Sequence, residues 1–301
     1  MWAYIKILRP EISDMDVALP TAAALLASYT VHGAFPDVPK LVLAVLGAYL
    51  ATTSSYVLND CCDVDIDRIN LPHRPLPSGE LSRTRALLYA LLLVGVACAI
   101  ALYLNPESLV VLLVAVAVIT FYSYHAKRTT PLSFVPVGVA YGLVPIGVWL
   151  AFDPAGILKP DGAMLPLPAV LLGLMICITD WGFTLSGVCR DVEGDRARGV
   201  PTTPVVHGIP FTSRLVLSFW SAGVVLSLLV GYTAHLGPLF MVAALLTGGW
   251  MLAQCVDFVH HPAPERGGRL FLQGSRYRAV MFAALIADVA LCLLLQRYPP
   301  W

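Results

Sequence analysis

Charge is scarce in this chain: Asp, Glu, Lys and Arg make up only 13% of its 301 residues. The nineteen acids and nineteen bases cancel to a formal net charge of zero, which leaves no basic excess for a polyanion. The bases are spread over several loops with no base-reading fold around them, so no nucleic-acid partner is expected. The seven cysteines include no CxxC pair and sit mostly inside apolar runs, where they act as small buried hydrophobes. The seven histidines are scattered, and the adjacent His260 and His261 would point about 100° apart on a helix, so they make no metal pair. The first ten residues lack the charged and apolar segments of a cleavable leader, and the first apolar run is read as part of the mature fold. Ten-residue stretches of alternating polarity are missing too, which argues against a transmembrane barrel.

What the chain has in abundance is apolar length. Fully 58% of its residues are hydrophobic, against roughly 45–50% in ordinary soluble domains. Apolar runs can be drawn at 16–33, 41–58, 86–104, 107–123, 132–152, 165–188, 213–233, 237–256 and 279–296. At ~1.5 Å per helical residue, each can cross most or all of a hydrocarbon layer ~30 Å thick. The expected fold is all-α: one polytopic membrane unit over residues 1–301, with nine transmembrane helices bundled around a central cavity. Sixteen of the nineteen Lys and Arg fall at the N-terminus and in the loops after even-numbered helices, leaving Lys40, Lys159 and Arg297 on the other side. The positive-inside rule makes the sixteen-charge side, with the N-terminus, cytoplasmic. An odd helix count then puts Trp301 on the opposite side.

Against this background the stretch NDCCDVDIDRINLPHRPLPSG, residues 59–79, places four aspartates within eight positions at the end of the second run. On a helix Asp60, Asp63 and Asp67 share one face, Asn59 stands one turn before Asp63, and Asp65 falls off that face. Four helices later CRDVEGDRARGVPTTP repeats the arrangement, with Asp191 and Asp195 at i, i+4 and Glu193 turned away. Like charges stacked this way repel unless something neutralises them. Hard carboxylate oxygens suit Mg²⁺ or Mn²⁺ shared with substrate phosphates. Calcium is disfavoured, because Asp60 to Asp67 lacks the turn glycine and terminal glutamate of a calcium loop. Arg68, Arg74, Arg190 and Arg196 in the same stretches, with Lys127 and Arg128 from a neighbouring loop, are suited to phosphate oxygens. The residues thus point to a phosphorylated lipid held at the mouth of an apolar bundle.

These motifs carry a family resemblance. NDCCDVDIDRINLPHRPLPSG resembles the first aspartate-rich motif of the UbiA superfamily of intramembrane prenyltransferases, and RDVEGDRARGVPTTP resembles the second. YSYHAKRTTP and ILRP are similar to the family's stretch after helix 4 and the start of its first helix. The resemblance implies that Asn59, Asp60, Asp63 and Asp67 bind one Mg²⁺ with the diphosphate, and that Asp191 and Asp195 bind another. It implies that Arg68, Arg74 and Lys127 hold diphosphate oxygens beside Tyr122, with Arg128 and Arg190 adding charge. The implied reaction is ionisation of an allylic prenyl diphosphate and capture of the carbocation by a lipophilic or aromatic acceptor. Quinone, chlorophyll, haem and lipid pathways use such steps. Aromatic faces can stabilise the cation; Tyr56, one turn below Asp60, is the first choice, with Trp181 and Trp149 behind it.

This chain departs from the family pattern in two minor ways, Arg190 where Lys is frequent and TTP where TLP is usual. A third departure is larger: Glu11, Asp14 and Asp16 add acids at the start of helix 1, which disfavours a carboxylated acceptor and gives weight to a terpene cyclase that needs no acceptor. Asp180 lies within helix 6, where acids are costly and usually functional. It precedes Asp191 by eleven residues, so it faces the same way to within about 20° and about three turns deeper. It is expected to orient the acceptor or take its proton. Asp257 and Asp288 lack that alignment and read as structural. A relative acting on a phosphorylated pentose fits less well, since His73 and Arg74 stand nearly alone as an extra phosphate site. A transporter or channel would show ionisable positions through several helices, and apart from Asp180 and Asp288 the spans are nearly free of them.

Overall fold

The computed structural model describes residues 2–153, 156–159 and 164–295, and among these every regular element is helical. The long helices are α1 (Ser13–His32), α2 (Val38–Cys62), α3 (Arg83–Leu104), α4 (Pro106–Thr129), α5 (Phe134–Phe152), α6 (Leu167–Arg190), α7 (Ile209–Thr233), α8 (Pro238–His260) and α9 (Pro264–Leu294). Eight of them, α2 to α9, are long and apolar enough to cross a membrane. The remaining helix, α1, carries Asp14 and Asp16 in its first turn and falls short of that apolarity. Arg297 and Trp301, on which the far-side reading of the C-terminus depends, lie outside the described residues.

Each long helix packs on its neighbours in sequence, and α9 packs back on α1 to close the ring. Contacts between α6 and α9 and between α1 and α5 cross the middle. Helix α1 is buried along most of its length, with Ala22, Ala23, Ala24, Leu26 and Ala27 fully enclosed. By contrast, Leu88, Leu91 and Leu92 of α3 are exposed and form part of the surface that faces lipid. Small residues let α5 and α6 approach closely. A Cβ on Gly142 would come within 2.8 Å of the Gly173 carbonyl oxygen, so nothing larger fits there.

One element differs from the sequence reading. Helix α9 begins at Pro264, fifteen residues before the apolar run at 279. Its first half is polar on average and so reads as a loop, yet it is amphipathic. Gly267, Leu270, Gly274, Tyr277 and Arg278 are buried along it at helical spacing. Pro264 occupies the first turn, where a missing N–H costs nothing. Arg278 therefore belongs to the bundle interior and not to a loop.

Candidate functional site

Both acidic stretches begin as long helices and break in the same way. Helix α2 ends at Cys62, Asp63 takes φ −105° and ψ 10°, and a short helix covers Val64–Asn70. Helix α6 ends at Arg190, Asp191 takes φ −91° and ψ 7°, and a short helix covers Val192–Ala197. The unbroken helix that the spacing of Asp60, Asp63 and Asp67 predicts is thus interrupted at its middle carboxylate. An unbroken helix would stack three negative charges on one face; the break lets each meet its own cation.

Asp60 is 2% exposed and accepts from Arg9 Nη2 at 2.7 Å and Arg74 Nη1 at 3.0 Å. The same Arg74 nitrogen donates to Asp67 Oδ2 at 2.9 Å, and Lys127 Nζ donates to Asp63 Oδ2 at 2.5 Å. Arg190 forms a two-pronged pair with Asp191 at 2.7 and 2.8 Å. Asp195 accepts from Thr202 Oγ1 at 3.0 Å, while Thr203 Oγ1 ties the same segment to the Pro131 carbonyl at 2.5 Å. This gives the TTP sequence a structural task.

A single side chain clasps the two stretches together. Asn70 Nδ2 donates to the Asp191 carbonyl at 3.0 Å, and its Oδ1 accepts from the Gly194 N–H at 3.1 Å. A Cβ on Gly194 would sit 2.4 Å from Asn70 Oδ1, so the glycine inside EGD is required by this close approach.

The clasped stretches face a cavity of about 130 Å³. Asn59, Asp63, Asp67 and Asp191 line it with Arg9, Arg74, Lys127 and Arg190. Tyr122 stands beside Lys127 in the wall, and Asp180 and Thr184 lie deeper on the α6 side. The eleven-residue alignment of Asp180 with Asp191 therefore holds in space. Asp60 and Asp195 lie just behind this lining, 2% and 1% exposed. Asp180 accepts from Arg278 Nη1 at 3.0 Å and from Thr184 Oγ1 at 3.2 Å, so both of its oxygens are engaged.

Of the aromatic residues expected to shield a cation, Tyr56 lines the chamber, with the Arg9 guanidinium 4.7 Å from its ring centre. Its hydroxyl donates to both oxygens of buried Asp16, at 2.9 and 3.0 Å, so Asp16 is not part of an exposed acidic rim. Trp181 and Trp149 do not line the chamber. Trp181 is one residue past Asp180 and so points about 100° away around α6, donating to the Val135 carbonyl and packing on Phe134 and Phe219. Trp149 is fully enclosed in the core. Tyr141, Phe183 and Phe271 line the chamber in their place.

Arg68 and Arg128 also turn elsewhere, to a neighbouring cleft of about 430 Å³. Arg128 pairs there with Asp65, whose position off the metal-facing side of the helix is as the sequence predicts. That bond holds the Asp65 carboxyl below its ordinary range. Sequence reasoning assigned no site role to Arg9 or Arg278. Arg9 lies within ILRP, so a signal was present; the polar face of α9 was the only hint of Arg278.

The donor set fits a hard divalent cation. Asp63 Oδ1 and Asp195 Oδ1 are buried with no hydrogen-bond partner among the described residues, and so is the Asn59 amide nitrogen. Burial pushes Asp67 up to about 6, with Arg74 pulling back and Asp60 and Asp63 adding to the rise. Burial likewise pushes Asp195 up to about 6 against the pull of Lys127. A cation bound beside them would favour their charged forms. Among the described residues no three ligand groups converge on one point, and Arg74 and Lys127 pair with the carboxylates there.

From the chamber an apolar groove of about 390 Å³ runs along α2, α3, α4 and α5, sharing Ser55, Ile119 and Tyr141 with it. Through Ala51, Leu112, Ala115 and Val144 the groove continues to a narrower pocket near Ala44 and Gly147.

Comparison with known proteins agrees with this architecture. The UbiA prenyltransferase family pattern matches residues 17–286. A protoheme IX farnesyltransferase of Mycobacteroides abscessus is 32% identical over 298 aligned positions, covering 95% of this chain and 89% of the relative. A digeranylgeranylglyceryl phosphate synthase of Thermococcus sibiricus is 28% identical over 267, covering 89% and 90%. A solved UbiA homologue from Archaeoglobus fulgidus bound to GPP and Mg²⁺ superposes with a TM-score of 0.59 at 20% identity, covering 94% of this chain and 99% of that one. The chain belongs to the UbiA prenyltransferase family.

Proposed function

We propose that this protein is a Mg²⁺-dependent intramembrane prenyltransferase, acting on an allylic prenyl diphosphate and a lipophilic or aromatic acceptor. The observation that carries this reading is the chamber itself: two acidic helix breaks clasped face to face, ringed by four cations and opening onto an apolar groove. Asn59, Asp60, Asp63 and Asp67 would hold one metal ion and Asp191 and Asp195 a second, with Mn²⁺ as a substitute. When bound, the metal neutralises charge on the departing pyrophosphate.

The rest is done by the protein's own groups. Arg9, Arg74, Lys127 and Arg190 bind diphosphate oxygens, exchanging their carboxylate partners for phosphate, with Asn59 and Tyr122 beside them. The bond from the prenyl C1 to the diphosphate breaks with its electrons on oxygen. The acceptor's nucleophile bonds to C1, and its proton is released. Tyr56, with Tyr141 and Phe183, presents aromatic faces to the cation, and the enclosed cavity keeps water from quenching it. Asp180 and Thr184, braced by Arg278, orient the acceptor. The whole chain acts as one nine-helix unit, with α1 as the ninth crossing, the N-terminus and acidic stretches cytoplasmic, and the C-terminus opposite.

The test is pyrophosphate release by purified protein given Mg²⁺ and farnesyl or geranylgeranyl diphosphate, with and without a lipid extract as acceptor source. Turnover that needs the extract and falls by ~10²-fold or more in Asp63→Ala, the scale seen when a charge-stabilising group is removed, supports the reading. A cyclic hydrocarbon formed without any acceptor would replace it with the cyclase.

A further inference from the structure

The three acids grouped at the start of helix 1 in the sequence part company in space. Glu11 and Asp14 are exposed, whereas Asp16 is 6% exposed and turned inward. Around the chamber Asp60, Asp63, Asp67, Asp180 and Asp191 each pair with an Arg or Lys. Asp16 makes no such pair among the described residues. It has one neutral hydroxyl instead, Tyr56 Oη, at 2.9 and 3.0 Å from its two oxygens. A buried carboxylate without a cation is costly, and an amide would tie α1 to α2 through the same hydroxyl at less cost. An acid kept inside a bundle against that cost is a candidate for chemistry.

Tyr56 connects this hidden acid to the chamber, which Asp16 itself does not line. Tyr56, Tyr122 and Tyr141 all line the chamber, and of the three Tyr56 alone hydrogen-bonds a carboxylate among the described residues; Tyr141 meets Ser55 at 3.4 Å. Ser55 belongs to the wall shared by the chamber and the apolar groove, so its neighbour Tyr56 stands where the charged end gives way to hydrocarbon. With a diphosphate among the cations and its chain in the groove, C1 of a prenyl substrate lies at that boundary. The Arg9 guanidinium, 4.7 Å from the Tyr56 ring centre, would offset negative charge arising on the phenol oxygen. Asp180 is less suited to receive a proton, because Arg278 already holds one of its oxygens and Thr184 the other.

We propose that the Tyr56 hydroxyl takes the proton released by the acceptor while passing its own to Asp16, so that Tyr56 is a catalytic residue and Asp16 its positioning partner. The inference rests on the prenyltransfer reading of the same chamber. As the bond from C1 to the diphosphate breaks with its electrons on oxygen, the acceptor's hydroxyl oxygen bonds to C1. The acceptor's O–H bond breaks and its proton goes to Tyr56 Oη; the Tyr56 proton crosses to an Asp16 oxygen. Tyr56 ends neutral and Asp16 ends as the carboxylic acid. Once product has left, the Asp16 proton returns to Tyr56 as Tyr56 gives one to water. Such a relay suits an acceptor whose nucleophile is a hydroxyl, which attacks well only while its proton is being taken.

Geranylgeranyl diphosphate with heavy oxygen in the bridge between C1 and phosphorus separates the steps. Ionisation followed by return scrambles the label among the oxygens of that phosphate, read by phosphorus NMR on unreacted substrate. Transfer is read by mass spectrometry as prenylated lipid, with Mg²⁺ present and a lipid extract as the acceptor source. In Asp16→Asn, transfer should fall by about 10²-fold or more, while scrambling continues and the thermal midpoint in detergent stays near that of the wild type. Tyr56→Phe, which keeps the ring and carries the test if Asp16→Asn folds poorly, should behave alike. The double variant should be little worse than either single one, as for groups that act as a unit. Transfer near the wild-type rate in either variant overturns the relay. So does scrambling lost in step with transfer, the mark of a merely structural pair, and so do losses that add. A wild type that neither scrambles nor transfers the label defeats the prenyltransfer reading and the relay with it, whereas wild-type transfer that survives both substitutions defeats the relay alone.

Discussion

Arg9 shows how much of the site depends on single contacts between distant residues. It takes a left-handed backbone conformation, φ 57°, immediately before Pro10, which is uncommon for a residue with a Cβ. From there it reaches Asp60 and covers the Tyr56 ring. Arg9→Ala would remove a charge-assisted bond of about 1.5–3 kcal/mol. The expected result is a KM for prenyl diphosphate raised by roughly 10- to 100-fold, measured by pyrophosphate release, with Arg9→Lys recovering part of the loss. The carboxylate pattern was readable because it is local: Asp60, Asp63 and Asp67 lie within eight positions. The partners were not, since Arg9 is 51 residues from Asp60 and Arg278 is 98 from Asp180. Hydropathy ranks such residues as loop or surface, and only the packed bundle shows which carboxylate each one meets.

At the scale of elements, two joints hold the site and its scaffold. The first is the Asn70 clasp. Gly194→Ala would drive a Cβ into the Asn70 side chain and part the two short helices. Turnover should drop sharply while the helical circular dichroism stays near wild type, and Asn70→Ala should show a milder form of the same loss. The second joint is Asp288 of α9, read from the sequence only as structural. Its carboxylate accepts from the Gly237 N–H at 2.5 Å and the Phe240 N–H at 3.2 Å, serving as the cap that the start of α8 lacks locally. Asp288→Ala would leave two donors unpaired, the Phe240 N–H buried and the Gly237 N–H partly buried. The expected cost is about 1–3 kcal/mol for each unsatisfied group, seen as a lowered thermal midpoint in detergent with the metal affinity of the chamber unchanged. Helix positions were legible from apolar length almost throughout. The breaks at Asp63 and Asp191 were not, because distant segments support them: Lys127 pairs with Asp63, and Asn70 holds the Asp191 carbonyl.

For the whole molecule, the groove joins the reactive chamber to the far pocket near Gly147, and its width should set which prenyl chains fit. Ala115 lines both the groove and the far pocket. Ala115→Phe should lower turnover of geranylgeranyl diphosphate by about tenfold or more relative to dimethylallyl diphosphate, since overpacking a close-fitting site typically costs 1–3 kcal/mol. Equal effects on both substrates would place the chain elsewhere. No sequence signal marks this groove, for its walls are ordinary Ala, Leu and Val in four helices. The arginines of the neighbouring cleft were hidden in the same way: Arg68, Arg83 and Arg128 come from three segments and meet only in space.

The wide turn at Tyr122–Ala126 near the end of α4 has five-residue rather than four-residue spacing. Tyr122 and Lys127 thereby face the chamber, while Ser123, Tyr124 and Arg128 face the cleft. Removing one residue from the turn would swing everything after it by about 100°, sending Lys127 away from Asp63 and Arg128 away from Asp65. A single surplus residue of backbone works as a sorting device, deciding which of two neighbouring anions each cation will serve.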